Sequence, residues 1–192
     1  MTVRDMNKED VSPQTALRLL HPMHTVLVTC KGKRGKPNII TLAWIMPTSM
    51  EPPLVAISVR PTRYSHKLIE QTKQFAINIP TMNIVYATLY CGRRSGKDHD
   101  KFKETGLAPS PAKLVRPPII KECVASLECK LHSRFTTGDH TIFIGEIIAA
   151  YADKQAFKDT YNLQKAKMIF HIGGNKFATL NPRTTEPKLP QP

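Results

Sequence analysis

The stretch from Glu122 to His132 constrains the fold more than any other part of the chain. Cys123, Ala125, Leu127, Cys129 and Leu131 recur at every second position, Glu122, Ser126, Glu128, Lys130 and His132 fill the alternate ones, and Val124 alone breaks the pattern. Successive side chains of a strand point to opposite faces, so this period of two predicts a half-buried antiparallel strand, apolar toward a core and polar toward water. Gly138-Asp139 then makes a turn into a second long strand, His140 to Tyr151. Two long paired strands, with no regular strand–helix succession elsewhere, argue against a doubly wound parallel sheet. They favour a closed or half-closed antiparallel barrel that carries a few helices.

Other segments fit the same plan. His24 to Thr29 and Asn38 to Trp44 are β-rich, and Lys31-Gly-Lys-Arg-Gly-Lys36 between them predicts a hairpin turn. Pro52-Pro53 breaks the chain before a strand over Leu54 to Val59, and Phe75 to Ile79 predicts another. Ser12-Pro13 opens a short capped helix, and Ser65 is the expected N-cap of a helix over Leu68 to Thr72. Thr81 is placed to cap a helix running through Tyr90, and Asp98 to Thr105 predicts a charged helix closed by Gly106. Prolines 109, 111, 117 and 118 make Ala108 to Pro118 an extended loop. The expected organisation is an N-terminal arm over 1–12, one domain over 13–180 and a C-terminal tail over 181–192.

At 192 residues, with 41% hydrophobic and 22% charged residues, the chain has enough material for a single core. No apolar run approaches the roughly 20 residues of a membrane helix. The first thirteen residues hold no apolar signal region, so a cytoplasmic protein with no membrane partner is expected. Cys30, Cys91, Cys123 and Cys129 contain no C-x-x-C pair and are expected to be reduced thiols. The 28 Lys and Arg against 15 Asp and Glu give a net charge of +13. Such a balance suits anionic partners (nucleic acid, phosphorylated cofactors, acidic membranes) and equally suits a plain solvated basic surface.

Several chemistries are disfavoured. No G-x-G-x-x-G follows a strand, so a built-in Rossmann unit is not expected. Gly92-Arg-Arg-Ser-Gly96-Lys97-Asp98 is one residue short of a P-loop, and Asp98 stands where Mg²⁺ chemistry needs Ser or Thr. His21-Pro-Met-His24 is too sparse for a metal site, and none is expected. The positive signal is a pair of basic bends. Arg60-Pro-Thr-Arg63-Tyr-Ser65 leaves a strand and enters a helix, which gathers guanidinium groups, hydroxyls and helix-start amides in one place suited to an anion. Arg93-Arg94-Ser95-Gly96-Lys97 adds a hydroxyl, a flexible backbone and an ammonium. Each has a plainer reading: Ser65 as a cap, Arg93 and Arg94 as solvated charges, the lone Trp44 as a core residue.

Taken together in order, His21-Pro22, Asn38 with Thr41-x-Ala-Trp44, Pro52-Pro53, Ser58-x-Arg60-x-x-Arg63-x-Ser65, Phe75-x-x-Asn78-x-Pro80, Cys91-Gly-x-x-Ser95-Gly-x-Asp98-x-Asp100-Lys101-Phe102, and Gly138-Asp139-His140 with Gly145-Glu146 form a recognisable set. The chain resembles the flavin reductase-like family of FMN-binding split β-barrels, which includes flavoredoxins and archaeal ferric reductases, from about residue 13 to about 178. The resemblance implies a mainly β fold, an antiparallel split β-barrel of Greek-key type with a few short helices, assembled as a homodimer around non-covalent FMN. It places Thr41, Leu42, Ala43 and Trp44 along the ring and ribityl chain, and Ser58, Val59 and Arg60 against flavin and phosphate. Ser65 would bind phosphate, and Cys91, Gly92, Ser95, Gly96 and Lys97 would close the site. His140 would assist nicotinamide or acceptor binding as the catalytic candidate. The implied activity is an NAD(P)H-dependent flavin or ferric reductase, with NAD(P)H as transient co-substrate and a small molecule or protein as electron acceptor. The alternatives are an FMN electron carrier without nicotinamide turnover and, more remotely, a nucleic-acid-binding barrel. The last is disfavoured because only 7% of residues are aromatic and no strand offers an exposed stacking series.

Overall fold

A two-residue link decides the shape of the molecule. The structure, a computed structural model, describes residues 8–187; most of the expected arm over 1–12 and part of the expected tail over 181–192 lie outside the described residues. Strands run in chain order as β1 (Met23–His24), β2 (Val26–Lys31), β3 (Pro37–Leu42), β4 (Ile45–Ser49), β5 (Leu54–Val59), β6 (Gln74–Ile79), β7 (Pro109–Ser110), β8 (Ile119–Ile120), β9 (Ala125–Thr137), β10 (His140–Ala152), β11 (Phe170–Gly173) and β12 (Lys176–Ala178). Seven of them form one antiparallel sheet in the order β3-β2-β6-β9-β10-β5-β4. Its two edges, β3 and β4, are joined only by Ala43 and Trp44. Three Cα–Cα steps reach at most about 11 Å. The sheet must therefore curl until its edges almost meet, although they do not pair. The result is a split antiparallel barrel with an opening beside residues 41–44.

The core fills the curl. Phe75, Phe143, Ile57, Ile77, Val26 and Val28 are fully buried or nearly so, and α2 (Tyr64–Thr72) adds Leu68 and Ile69. Gly145 on β10 is required by this packing. A Cβ there would lie 2.5 Å from Phe75 Cζ and 3.0 Å from Cys129 Cβ, so only glycine admits the Phe75 ring.

Local chemistry explains the element boundaries. Ser12 caps α1 (Pro13–Ala16) as expected, its Oγ accepting from the Thr15 N–H at 3.3 Å, and a 3-10 turn over Leu17–Leu20 follows. Ser65 does not cap α2. Arg63 occupies that position, and the buried Ser65 hydroxyl accepts a hydrogen bond from Asn38 Nδ2 at 2.7 Å. Thr81 makes no side-chain cap; a 3-10 turn over Met82–Ile84 leads into α3 (Val85–Arg93). The helix expected from Asp98 shortens to α4 (Lys101–Thr105), with Asp100 as its cap and Gly106 closing it at φ +73°. The strand expected over Asn38 to Trp44 ends at Leu42, and β4 is an addition to the expected strands. Pro47 within β4 is tolerated because β4 is an edge strand, paired to β5 alone.

One expected face is reversed. Glu128, on the predicted solvent face of β9, is completely buried. The N–H groups of Lys113, Leu114 and Val115 donate to its carboxylate at 2.8, 2.6 and 3.1 Å, and the Tyr151 hydroxyl donates at 2.8 Å. Burial alone would push the Glu128 pKa up; these donors outweigh it and hold the carboxyl below its ordinary range. The proline-rich segment is thus a strap bound across β9 and β10, tied further by the β7–β8 pair.

Candidate functional site

A cleft of about 500 Å³ opens where the sheet fails to close. Its walls are the β3 end and link (Thr41, Leu42, Ala43, Trp44), the end of β5 (Ser58, Val59, Arg60), α3 (Thr88, Leu89, Gly92, Arg93), and His140 at the start of β10, together with Arg63. The β11–β12 hairpin closes the remaining side with His171, Gly174 and Phe177. The lining holds three arginines and two histidines and no carboxylate.

Each wall is held in place by identifiable contacts. Gly92 lets α3 approach β3: a Cβ there would stand 3.2 Å from Thr41 Cβ, and Thr41 Oγ1 donates to the Thr88 carbonyl at 2.5 Å. The Ser58 N–H donates to the Trp44 carbonyl at 3.0 Å, which pins the link to β5. Trp44 is 42% exposed rather than a core residue, and its ring lies 4.8 Å from the His140 ring, centroid to centroid. His140 Nδ1 sits 2.5 Å from Asp139 Oδ1, and Asp139 also accepts from the Arg60 guanidinium. The His140 hydrogen bond lowers the Asp139 pKa most; burial opposes it, and the Arg60 charge adds to the lowering. Arg93 Nε donates to Asn175 Oδ1 at 2.9 Å and its Nη2 to the Gly174 carbonyl at 2.6 Å, fastening α3 to the hairpin. The guanidinium of Arg63 has no hydrogen-bond or ion-pair partner among the described residues.

The two basic bends meet at a single side chain. Asn38 is 4% exposed and bonds Ser65 at the start of α2 through Nδ2, while its Oδ1 lies against Gly96. A Cβ on Gly96 would overlap Oδ1 and come within 2.5 Å of Asn38 Cγ, so the 93–97 bend packs here through bare backbone.

Thr41, Leu42, Ala43, Trp44, Ser58, Val59, Arg60, Gly92 and His140 are thus gathered around one cleft. Ser65, Cys91, Ser95, Gly96 and Lys97 are not in its wall. The side chains of Ser65 and Cys91 are buried, and Ser95 Oγ accepts from the Lys97 N–H at 3.3 Å. Arg63 and Arg93, noted in the sequence for their basic bends, do line the cleft. His171, Gly174 and Phe177 are additions that no local motif marks; they arrive through the Met23↔His171 pairing of β1 with β11.

Other chemistry finds no support at this site. Burial raises the thiols of Cys30 and Cys91 to about 11 and that of Cys129 to about 12, and pushes Cys123 up as well, so all four stay protonated near neutrality. Among the described residues no cluster of three His, Cys, Asp or Glu side chains could hold a metal, and no helix is long and apolar enough to cross a membrane.

Residues 18–181 match the model of the flavin reductase like domain, and the chain belongs to that family. An uncharacterized protein of Archaeoglobus fulgidus is 34% identical over 173 residues, covering 89% of this chain and 96% of its own. Among solved structures, the flavoredoxin of Desulfovibrio vulgaris (Miyazaki F) superposes with a TM-score of 0.84 at 27% identity, over 93% of this chain and 96% of its own. An FMN-binding domain of a flavin reductase-like enzyme from Shewanella baltica OS155 gives 0.77 at 25% identity, over 92% of this chain and 96% of its own.

Proposed function

We propose that the cleft binds FMN non-covalently and that the protein is an NAD(P)H-dependent flavin or ferric reductase. The observation that carries this reading is the character of the lining: three guanidinium groups, two imidazoles, no carboxylate, and an apolar wall from Ile40, Leu42, Trp44 and Val59. A phosphorylated, flat, mostly apolar ligand fits that set, and the volume lies within the roughly 300–1,000 Å³ usual for cofactor clefts. The FMN-binding domain and flavoredoxin among its structural relatives support the same cofactor.

When bound, FMN supplies acceptance of a hydride from nicotinamide and delivery of electrons to an acceptor. The chain supplies the rest. Arg63 and the amides at the start of α2, with Ser95, Gly96 and Lys97 on the facing bend, would hold the phosphate, whose charge approaches two at neutral pH. Ser65 would act there through its backbone, since its hydroxyl is engaged by Asn38. Thr41, Leu42, Ala43 and Trp44 would flank the ring and ribityl chain opposite Ser58, Val59 and Arg60; Cys91 and Gly92 would back the site from α3. The Ala43 N–H and C=O have no hydrogen-bond partner among the described residues and are free to meet polar atoms of the ring. His140, its Nδ1 engaged by Asp139, retains Nε2 to orient a nicotinamide or an acceptor at the Trp44 edge. We place the protein in the cytoplasm as a homodimer, with Trp44, Met46 and Met50 at the exposed β4 edge as apolar surface available for pairing.

The flavoredoxin relative favours one second reading, an FMN electron carrier without nicotinamide turnover. Steady-state oxidation of NADH and NADPH with free flavin or a ferric chelate as acceptor separates the two. Turnover with either nucleotide supports the reductase; bound FMN without turnover supports the carrier.

A further inference from the structure

Lys101 is a charged side chain with no counter-charge. It opens α4, is 4% exposed, and its Nζ donates to the Ile39 carbonyl at 2.6 Å and the Cys91 carbonyl at 2.7 Å. No carboxylate pairs with it among the described residues. The charge-bearing groups around it are the Cys91 and Cys30 thiols, which stay protonated near neutrality, and the Arg63 guanidinium, which is of like sign. A buried ammonium satisfied by only two carbonyls is costly, because an ammonium has three N–H donors and loses its hydration on burial. Burial accordingly lowers the Lys101 pKa.

Its position gives the charge a use. The two carbonyls it grips belong to β3 and to the last turn of α3, so the ammonium closes the base of the loop that runs from α3 to α4 and contains Ser95, Gly96 and Lys97. Ile39 follows Asn38, the residue at which the two basic bends meet. Lys101 therefore lies beneath the junction at which the two basic bends meet.

We infer that Lys101 is the buried positioning cation of the phosphate site: it fixes the 94–100 loop from beneath and supplies the positive charge that a phosphate monoester beside the junction of Asn38, Ser65 and Gly96 neutralises. This rests on the FMN reading of the cleft and adds to it a residue that touches neither ring nor ribityl chain. Two outcomes mark this role. Removing the charge weakens FMN and spares riboflavin, which lacks the phosphate, as a purely structural loss would not. The loss also persists at high salt, because a buried charge is screened far less than an exposed one.

The test is a fluorescence-quenching titration of flavin-free wild type, Lys101→Met and Lys101→Gln with FMN and with riboflavin at low and high salt. The glutamine amide keeps two N–H donors for the Ile39 and Cys91 carbonyls without the charge. Both variants are expected to bind FMN at least tenfold more weakly than wild type at low and at high salt, and to change riboflavin affinity less than threefold. Equal losses for the two flavins, or unchanged FMN affinity, would overturn the role of Lys101. Failure of both variants to fold, read by circular dichroism, would assign Lys101 to the barrel alone and overturn it as well. Wild type that binds neither flavin would instead overturn the FMN reading, and the inference with it.

Discussion

Replacing Gly96 by alanine perturbs the junction of the two bends and little else. The added Cβ would overlap Asn38 Oδ1 and sit 2.5 Å from Asn38 Cγ, about 0.9 Å inside ordinary contact at 3.4 Å. Asn38 cannot retreat easily: it lies on β3 opposite Cys30, is 4% exposed, and is bonded to Ser65. The 93–97 bend must move instead, by about an ångström. In the flavin-free protein the cost falls on a partly exposed loop, of order 1 kcal/mol, which lowers the melting temperature by about 2–4 °C in a chain of this size. With FMN bound as proposed, displacement of the bend would remove one charge-assisted hydrogen bond to phosphate, worth about 1.5–3 kcal/mol. At 1.4 kcal/mol per tenfold, FMN should bind about 10- to 150-fold more weakly, while riboflavin affinity changes less than about threefold. Flavin fluorescence quenching with thermal denaturation measures both effects. A variant that melts normally and binds FMN as tightly as wild type would refute the placement of phosphate at this junction.

Three further outcomes follow from other parts of the molecule. Gly145→Ala forces a methyl to 2.5 Å from Phe75 Cζ in a fully buried layer and should cost about 1–3 kcal/mol in urea denaturation; a neutral change would contradict the packing described. Glu128→Gln should lose about 2–3 kcal/mol at neutral pH because it releases the strap. Since the folded carboxyl titrates below its ordinary value, its contribution is present above about pH 4.3 and fades as pH falls through the folded pKa; the gap between wild type and variant in denaturation midpoints should therefore narrow in acid, and a gap that widens would refute the assignment. His140→Ala should slow flavin reduction by NADH or NADPH tenfold or more in stopped-flow while changing the FMN dissociation constant less than about threefold; unchanged reduction rates would remove His140 from the reaction.

How much of the fold is legible in the sequence depends on where each signal resides. The alternation over 122–132 locates the central strand β9 because its register is written in its own side chains. It misassigns the face of Glu128 because the partners are backbone N–H groups of residues 113–115, and a main-chain amide carries no residue-type signature. β4 escapes for a similar reason: Pro47 interrupts any strand pattern, and only its edge position makes the proline harmless. Of the candidate site, the segments at 41–44 and 58–63 are legible because small, basic and hydroxyl residues cluster at the ends of apolar runs. Ser65 shows the limit of that reading. A serine at a helix start has the composition of a cap or an anion ligand, and only the proximity of Asn38 on β3 shows that its hydroxyl is already engaged. His171, Gly174 and Phe177 are invisible beforehand, since pairing between β1 and a strand some 150 residues on delivers them to the cleft.

In the proposed function the opening of the split barrel holds a flavin by its phosphate. Equilibrium titration of the flavin-free wild-type chain with FMN and, in parallel, riboflavin tests it most directly. Saturation at one FMN per chain, with affinity at least tenfold above that for riboflavin, is the predicted result. Equal affinities, or no uptake of FMN, would contradict it.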